Sequence, residues 1–438
     1  MAALGVENIG KLPELRRKLL WTFALLAFYR IGIHIPVPGV DTAALTEFFE
    51  SMQNTLFGLF DMFSGGGLSR ISIFALGIMP YISASIIMQL LTVVSPELSR
   101  LQKEEGAEGR KKITQYTRYG TVLITIIQGL GIAIGLESMT SPTGLPVVLE
   151  PGWGFRMVTV LTLTAGTILV MWLGEQITAK GLGNGISLII FAGIVATLPR
   201  ALINTFQLVG AGEMSVFFLL ILTVIMAGVL IAIVTAERAQ RRIPIQYAKR
   251  QMGRKMYGGQ TSHLPLKLNT AGVIPPIFAS SILMFPGTIA QFSGVEWLQT
   301  VSTWFAPDAL IYNVIFVALI VFFCYFYTAI IFDPNQIAEN LKKSGGFVPG
   351  IRPGQKTKEY IDRVLSRITI WGATYISIIC VLPMIFIAQF NVPFYFGGTS
   401  LLIVVGVAMD FMGQLESYLI SRQYQGLMEK AGRVKGRR

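Results

Sequence analysis

From residue 19 onward the chain alternates between long apolar runs almost free of charge and shorter polar segments. Ten runs stand out: 19–35, interrupted once by Arg30, then 71–95, 119–136, 157–174, 181–199, 214–236, 268–295, 309–332, 368–389 and 399–420. A hydrocarbon core about 30 Å thick takes roughly 20 helical residues to cross, at about 1.5 Å per residue. Each run is therefore predicted to be a transmembrane helix, and the chain an all-α membrane protein. Alternate threading places 1–18, 95–118, 175–183, 237–267, 333–367 and 420–438 on one face. Of the 36 Lys and Arg, only Arg30, Arg70, Arg156 and Arg200 fall elsewhere. Positive charge is retained on the cytoplasmic side, so both termini are expected inside. Five runs are odd in number, so the halves 19–204 and 205–420 have opposite orientation, the arrangement in which a pathway forms between inverted repeats. Ten packed helices with no pathway are the plainer alternative.

Composition agrees. Hydrophobic residues make up 53% and charged ones 14%, too apolar for a soluble domain of this length. The net charge of +12, which in a soluble protein would point to nucleic acid, is here mostly the topology signal. Cys324 and Cys380 lie inside apolar runs and read as packed thiols. The basic segment 11–18 precedes a run without a small-x-small cleavage site, so the first run is expected to be retained. His34 and His263 are the only histidines, HExxH and CxxC are absent, and neither metal nor cofactor is expected. The nearest approach to a phosphate-binding loop, Gly354-Gln355-Lys356-Thr357, has Gln355 between glycine and lysine, so no nucleotide hydrolysis is expected by that route. The chain reads as no enzyme. Uphill movement would draw on a partner or an ion gradient.

An ion-coupled secondary transporter of a small solute is the alternative function, and its usual sign is an ionisable residue held in mid-membrane. Arg30 lies toward the outer end of its run, where it can snorkel to the interface; Glu416 lies near the inner end of the last run. Asp410, midway along that run, alone favours coupling, and the structural role of a carboxylate hydrogen-bonded to neighbouring helices is the preferred reading. Between the first two runs, Phe60 to Arg70 is apolar enough to enter the membrane and too short to cross it. Its three consecutive glycines oppose a helix, and irregular backbone at membrane depth needs protein or a water-filled cavity around it. The segment is expected to be a short mobile element in a funnel or an interfacial loop on the outer face.

Ser64 to Arg70 runs into Ile73-Phe74-Ala75-Leu76-Gly77-Ile78-Met79-Pro80-Tyr81-Ile82-Ser83-Ala84. With Gly183 to Ser187, Ala271 to Pro275, Phe347 to Gly354 and Phe396 to Ile403, the chain resembles the bacterial SecY family, central subunits of the Sec protein-conducting channel (the SecYEG translocon), from about Leu12 to Tyr424. Asp61, where many relatives are neutral, and the double proline Pro275-Pro276 depart from the pattern. The resemblance implies ten helices in two inverted five-helix halves around a central pore, in the bacterial plasma (inner) membrane. A plug half-helix at about 55–70 would include Phe60, Asp61, Met62, Phe63, Ser64, Gly65, Gly66, Gly67, Leu68, Ser69 and Arg70. A pore ring would comprise Ile78, Ile82, Ile186, Ile190, Ile277 and Ile403, two of its pairs spaced i, i+4 on one helix face. Branched apolar side chains can close such a ring by dewetting.

The resemblance also places Gln89, Thr117 and Asn269 on a lateral gate that releases apolar segments into lipid, where inter-helix hydrogen bonds are worth about 0.6–2 kcal/mol. Arg254, Lys255 and Arg352, in the basic loops 237–267 and 333–367, would dock the SecA motor ATPase or the ribosome, through ribosomal RNA phosphates or acidic protein surfaces. SecE and SecG subunits, signal sequences, unfolded preproteins and membrane lipids are the other partners implied, and 421–438 would be a basic cytoplasmic tail. The function implied is translocation of unfolded secretory polypeptides across the membrane.

Overall fold

Every one of the ten predicted runs contains a helix. They are α1 (Pro13–Gly32), α2 (Met79–Val94), α4 (Gly106–Ser138), α5 (Trp153–Lys180), α6 (Gly185–Gly210), α7 (Val216–Arg238), α8 (Ile274–Phe292), α9 (Leu310–Ile331), α11 (Gln355–Phe390) and α12 (Gly398–Lys435). Two short helices, α3 (Pro96–Lys103) and α10 (Pro334–Lys343), lie between them. The computed structural model describes residues 12–41, 45, 61, 63–103, 105–139, 146–212, 215–247, 250–252, 255–257, 261–292, 309–390 and 398–435. Among these, seven helices are long and apolar enough to cross a membrane, or eight if α2 and α3, bent by 103° at Ser95, count as one. The extended Ser95 and the proline that opens α3 make that bend.

Helix ends depart from the apolar runs in two ways. The second run begins at 71, but α2 begins at Met79, behind a series of turns. In contrast, α4, α11 and α12 have 33, 36 and 38 residues, so each extends well beyond the roughly 20 needed for crossing. The double proline Pro275-Pro276 sits in the first turn of α8, where the missing N–H groups are orphans in any case. Pro199 and Pro383 lie inside α6 and α11.

The described residues form two compact units: Met1–Thr205 with Ser281–Pro307 and Val407–Arg438, and Phe206–Ser280 with Asp308–Gly406. In the first, α4 and α5 make an antiparallel hairpin tied near both ends by arginine–glutamate forks. Arg118 donates to both carboxylate oxygens of Glu175 at 2.9 and 2.7 Å. Arg156 donates to Glu137 Oε2 at 2.9 and 2.6 Å, while Glu137 Oε1 accepts the Gly152 N–H at 2.9 Å. Arg118 and Glu137 are separated by about 28 Å along the helix axis, so the two forks bracket a hydrocarbon core. Trp153 under Arg156 and Trp21 under Lys180 supply aromatic anchors at the two levels. Leu15 of α1 packs with Leu182, Leu415 and Leu419.

In the second unit the loops 237–267 and 333–367 are not separate excursions. Strand β1 (Gln240–Tyr247) pairs antiparallel along its length with β4 (Thr261–Lys267) and, at its far end, with β5 (Gly346–Phe347), giving the order β4-β1-β5. The short strands β2 (Arg250–Met252) and β3 (Lys255–Tyr257) pair in the hairpin's tip. Ile243, Ile245 and Leu266 of the sheet bury against Leu341 of α10 and Ile361, Val364, Leu365 and Ile368 of α11. Among the described residues, an otherwise α-helical protein therefore carries a three-stranded sheet with its own apolar core and a two-stranded one at the hairpin's tip.

Candidate functional site

The short segment before α2 is held by a dense set of local bonds. Asp61, Phe63 and Ser64 are helical, and the chain then turns through Gly65 and Gly66 at φ 72° and 86°, a region open to glycine without a steric cost. The Ser64 hydroxyl donates to the Asp61 carbonyl at 2.9 Å and accepts the Gly67 and Leu68 N–H groups at 3.1 Å each. The Asp61 carboxylate accepts the Ser69 N–H at 2.7 Å. The departure at Asp61 is thus a capping group for the glycine turn. Phe63, Ser64, Leu68 and Ile71 are buried. Phe60 and Met62 lie outside the described residues.

The seat for this segment is built from α1 and α6. Tyr29 donates its hydroxyl to the Ser64 carbonyl at 3.1 Å, and the Arg30 guanidinium donates to the Gly65 carbonyl. Arg30, which its position in the run allows to snorkel to the interface, is half-buried and spends a donor on this main-chain acceptor. A Cβ on Gly65 would lie 2.9 Å from the Gly193 Cα, closer than real contacts permit. Beyond the segment, the Val37 N–H meets the Ile71 carbonyl and the Ile73 N–H the Ile35 carbonyl, both at 2.9 Å.

All six ring candidates are described. Ile78 caps the N-terminus of α2, Ile82 lies one turn on, and Ile186 and Ile190 repeat that spacing at the start of α6; these four belong to the first unit. Ile277 in α8 and Ile403 in α12 belong to the second. Five are buried; Ile186 is half-buried, beside the flat face that Gly174 gives α5.

The gate candidates have mixed partners. Gln89 of α2 donates to Ser85 Oγ at 3.2 Å, and Thr117 of α4 to the Ile113 carbonyl at 2.9 Å. These two helices pack directly, since a Cβ on Gly120 would lie 3.5 Å from the Ala84 Cβ. Asn269, in the second unit and just ahead of α8, donates to Glu237 Oε1 at 2.6 Å and to the Gly272 carbonyl at 3.0 Å. Sequence reasoning missed Glu237, as it missed Glu137 and Glu175; all three lie near helix ends, where a carboxylate is otherwise only a solubilising charge. Asp410 and Glu416 are exposed, so neither is the enclosed carboxylate that ion coupling calls for.

The docking candidate Arg352 is exposed at the crest of a turn whose glycines, Gly350 and Gly354, have φ of 78° and 101°. The buried Thr357 hydroxyl fixes that crest by donating to the Arg352 carbonyl at 3.0 Å. Lys255 lies in β3, while Arg254 lies outside the described residues.

The family model for SecY matches residues 72–412. The chain belongs to the SecY family. It is 53% identical to the protein translocase subunit SecY of Escherichia coli, with 96% of each chain covered. Identity to the subunits of Pseudomonas aeruginosa and Aquifex aeolicus is 52% and 48%, covering 98% and 97% of this chain and 96% and 99% of theirs. A solved structure of a protein conducting channel has the same fold, at a TM-score of 0.67 with 19% identity and 92% of both chains covered. Sec61 in a canine ribosome-channel complex matches at 0.63 with 18% identity, again over 92% of both chains. The SecY chain is a multi-pass membrane protein and a channel subunit, not an enzyme.

Proposed function

We propose that this chain forms the channel through which unfolded secretory polypeptides cross the bacterial inner membrane, with both termini cytoplasmic. Kinship with protein translocase subunits over almost the whole chain carries this reading. The geometry supports its parts. A capped glycine turn seated among buried residues suits a plug. Six isoleucines, none of them exposed, suit a ring that excludes water at rest and accepts any side chain when open. Gln89, Thr117 and Asn269 serve the lateral gate as polar groups on α2, on α4 and ahead of α8: Gln89 and Thr117 bond within their own helices, and Asn269 ties the start of α8 to Glu237 by a bond an apolar signal helix can displace. SecE, SecG and SecA are the partners of this channel, and the exposed Arg352 turn supports a docking role toward the motor. One structural neighbour is a ribosome-channel complex, and the same basic face supports a ribosome as the alternative partner. Reconstitution with and without the motor ATPase tests the proposal: signal-dependent protein transport is expected, and movement of a small solute driven by a gradient alone would overturn it.

A further inference from the structure

We infer that the first span carries a two-point latch for the plug, in which the Tyr29 hydroxyl and the Arg30 guanidinium hold the main-chain carbonyls of Ser64 and Gly65. This rests on the plug reading above. Two consecutive side chains at the end of α1 grip two consecutive carbonyls, at the point where the short helix gives way to the glycine turn. Tyr29 and Ser64 are fully buried, so the hydroxyl bond is shielded from water. Both acceptors are backbone, so the grip is indifferent to the plug's own side chains. It demands a small residue at 65, because only glycine combines that φ with so close an approach to Gly193.

The turn leaving the plug carries backbone strain. Ile71 has φ of 39°, the one positive value among the described non-glycine residues. A β-branched residue there is a genuine outlier, and such strain persists only where its surroundings impose it. The Ile71 N–H donates to the Leu68 carbonyl, and its own carbonyl accepts from Val37, both at 2.9 Å. The backbone is thus pinned on both sides while the latch holds the segment ahead of it. Release of Tyr29 and Arg30 frees the segment ahead of Ile71, and opening of the Leu68 and Val37 bonds as the plug departs would then let Ile71 relax.

The test uses the full channel with its partner subunits in vesicles. Leu68, buried in the seat, is replaced by cysteine as a reporter; Cys324 and Cys380 are buried in the second unit. Labelling by a membrane-impermeant maleimide from outside, and resting ion conductance, are then compared. Tyr29→Phe removes one oxygen and keeps the ring stacked on Phe74 at 5.8 Å, so it leaves the fold intact. It is expected to raise both readouts about five-fold, and Arg30→Met by tens of fold, the usual range for a neutral and a charge-assisted hydrogen bond. Arg30→Lys should restore part of the loss. Deletion of 61–69 is the control. A leaking deletion with unchanged labelling and conductance in Tyr29→Phe and Arg30→Met overturns the latch and leaves the plug standing. A deletion that does not leak overturns the plug reading, and the latch with it.

Discussion

A single side-chain amide at a proposed ring position is a sharp probe of whether those isoleucines form a seal. Ile82 and Ile403 are buried, and an amide placed there without a partner costs about 1–3 kcal/mol unless water enters to bond it. Ile82→Asn and Ile403→Asn are therefore expected to wet the closed channel, which would show as resting ion leakage and acceptance of weaker signal sequences. Unchanged conductance and stringency in both would remove these residues from the seal. Arg352 works in the opposite setting. Nothing in its own loop needs the charge, because the turn is fixed by two glycines and by Thr357. Arg352→Glu should leave the channel's assembly intact and reduce motor-driven or ribosome-coupled transport at least ten-fold. Lysine should rescue in part, since it keeps the charge and loses the bidentate fork. Normal transport by the Glu variant in vesicles of matched channel content would end the docking role.

Among elements, the α4–α5 hairpin shows where pattern reading stops. Its two apolar runs were legible because a span leaves no alternative to a long uncharged stretch. The polar extension of α4 from 106 to 118 was not, since nothing in it is apolar enough to register as a span. The ion pairs were not legible either: Arg118 and Glu175 lie 57 positions apart, and charge counting treated Arg156 as one stray positive residue on the outer face. The register that joins both pairs exists only once the helices are antiparallel. Strand β1 could have been read. Ile243 and Ile245 are buried between exposed neighbours, the alternation of a half-buried strand, but a positively charged loop was explanation enough without it. Exchanging the charges, Glu137→Arg with Arg156→Glu, tests the outer fork. Each single change should lower the thermal midpoint of the purified channel and the double change should recover most of it. Equal losses in all three would mean that Gly152 and Trp153, not the fork, hold the hairpin.

At the scale of the whole molecule, the lopsided distribution of Lys and Arg is the basis for the proposed orientation. Reporters fused after Lys255 and after Lys358 are expected to read cytoplasmic, and reporters near Gly144 and Asp308 periplasmic; a periplasmic signal at Lys358 would break the ten-span topology. With that orientation the three-stranded sheet would face the cytoplasm and acquire a mechanical meaning. β1 is bonded on one edge to β4, which leads straight into Asn269 at the foot of α8, and on the other to β5, which leads into the turn that displays Arg352. Strand-to-strand bonds stretch little, so a displacement of the turn would be passed to the foot of α8 as between the two arms of one crank. Gly346→Pro, which removes the N–H of a residue paired with Tyr247, should leave partner binding intact and weaken its effect on transport. A partner that does no more than rock Arg352 would then have leverage on a membrane helix it never touches.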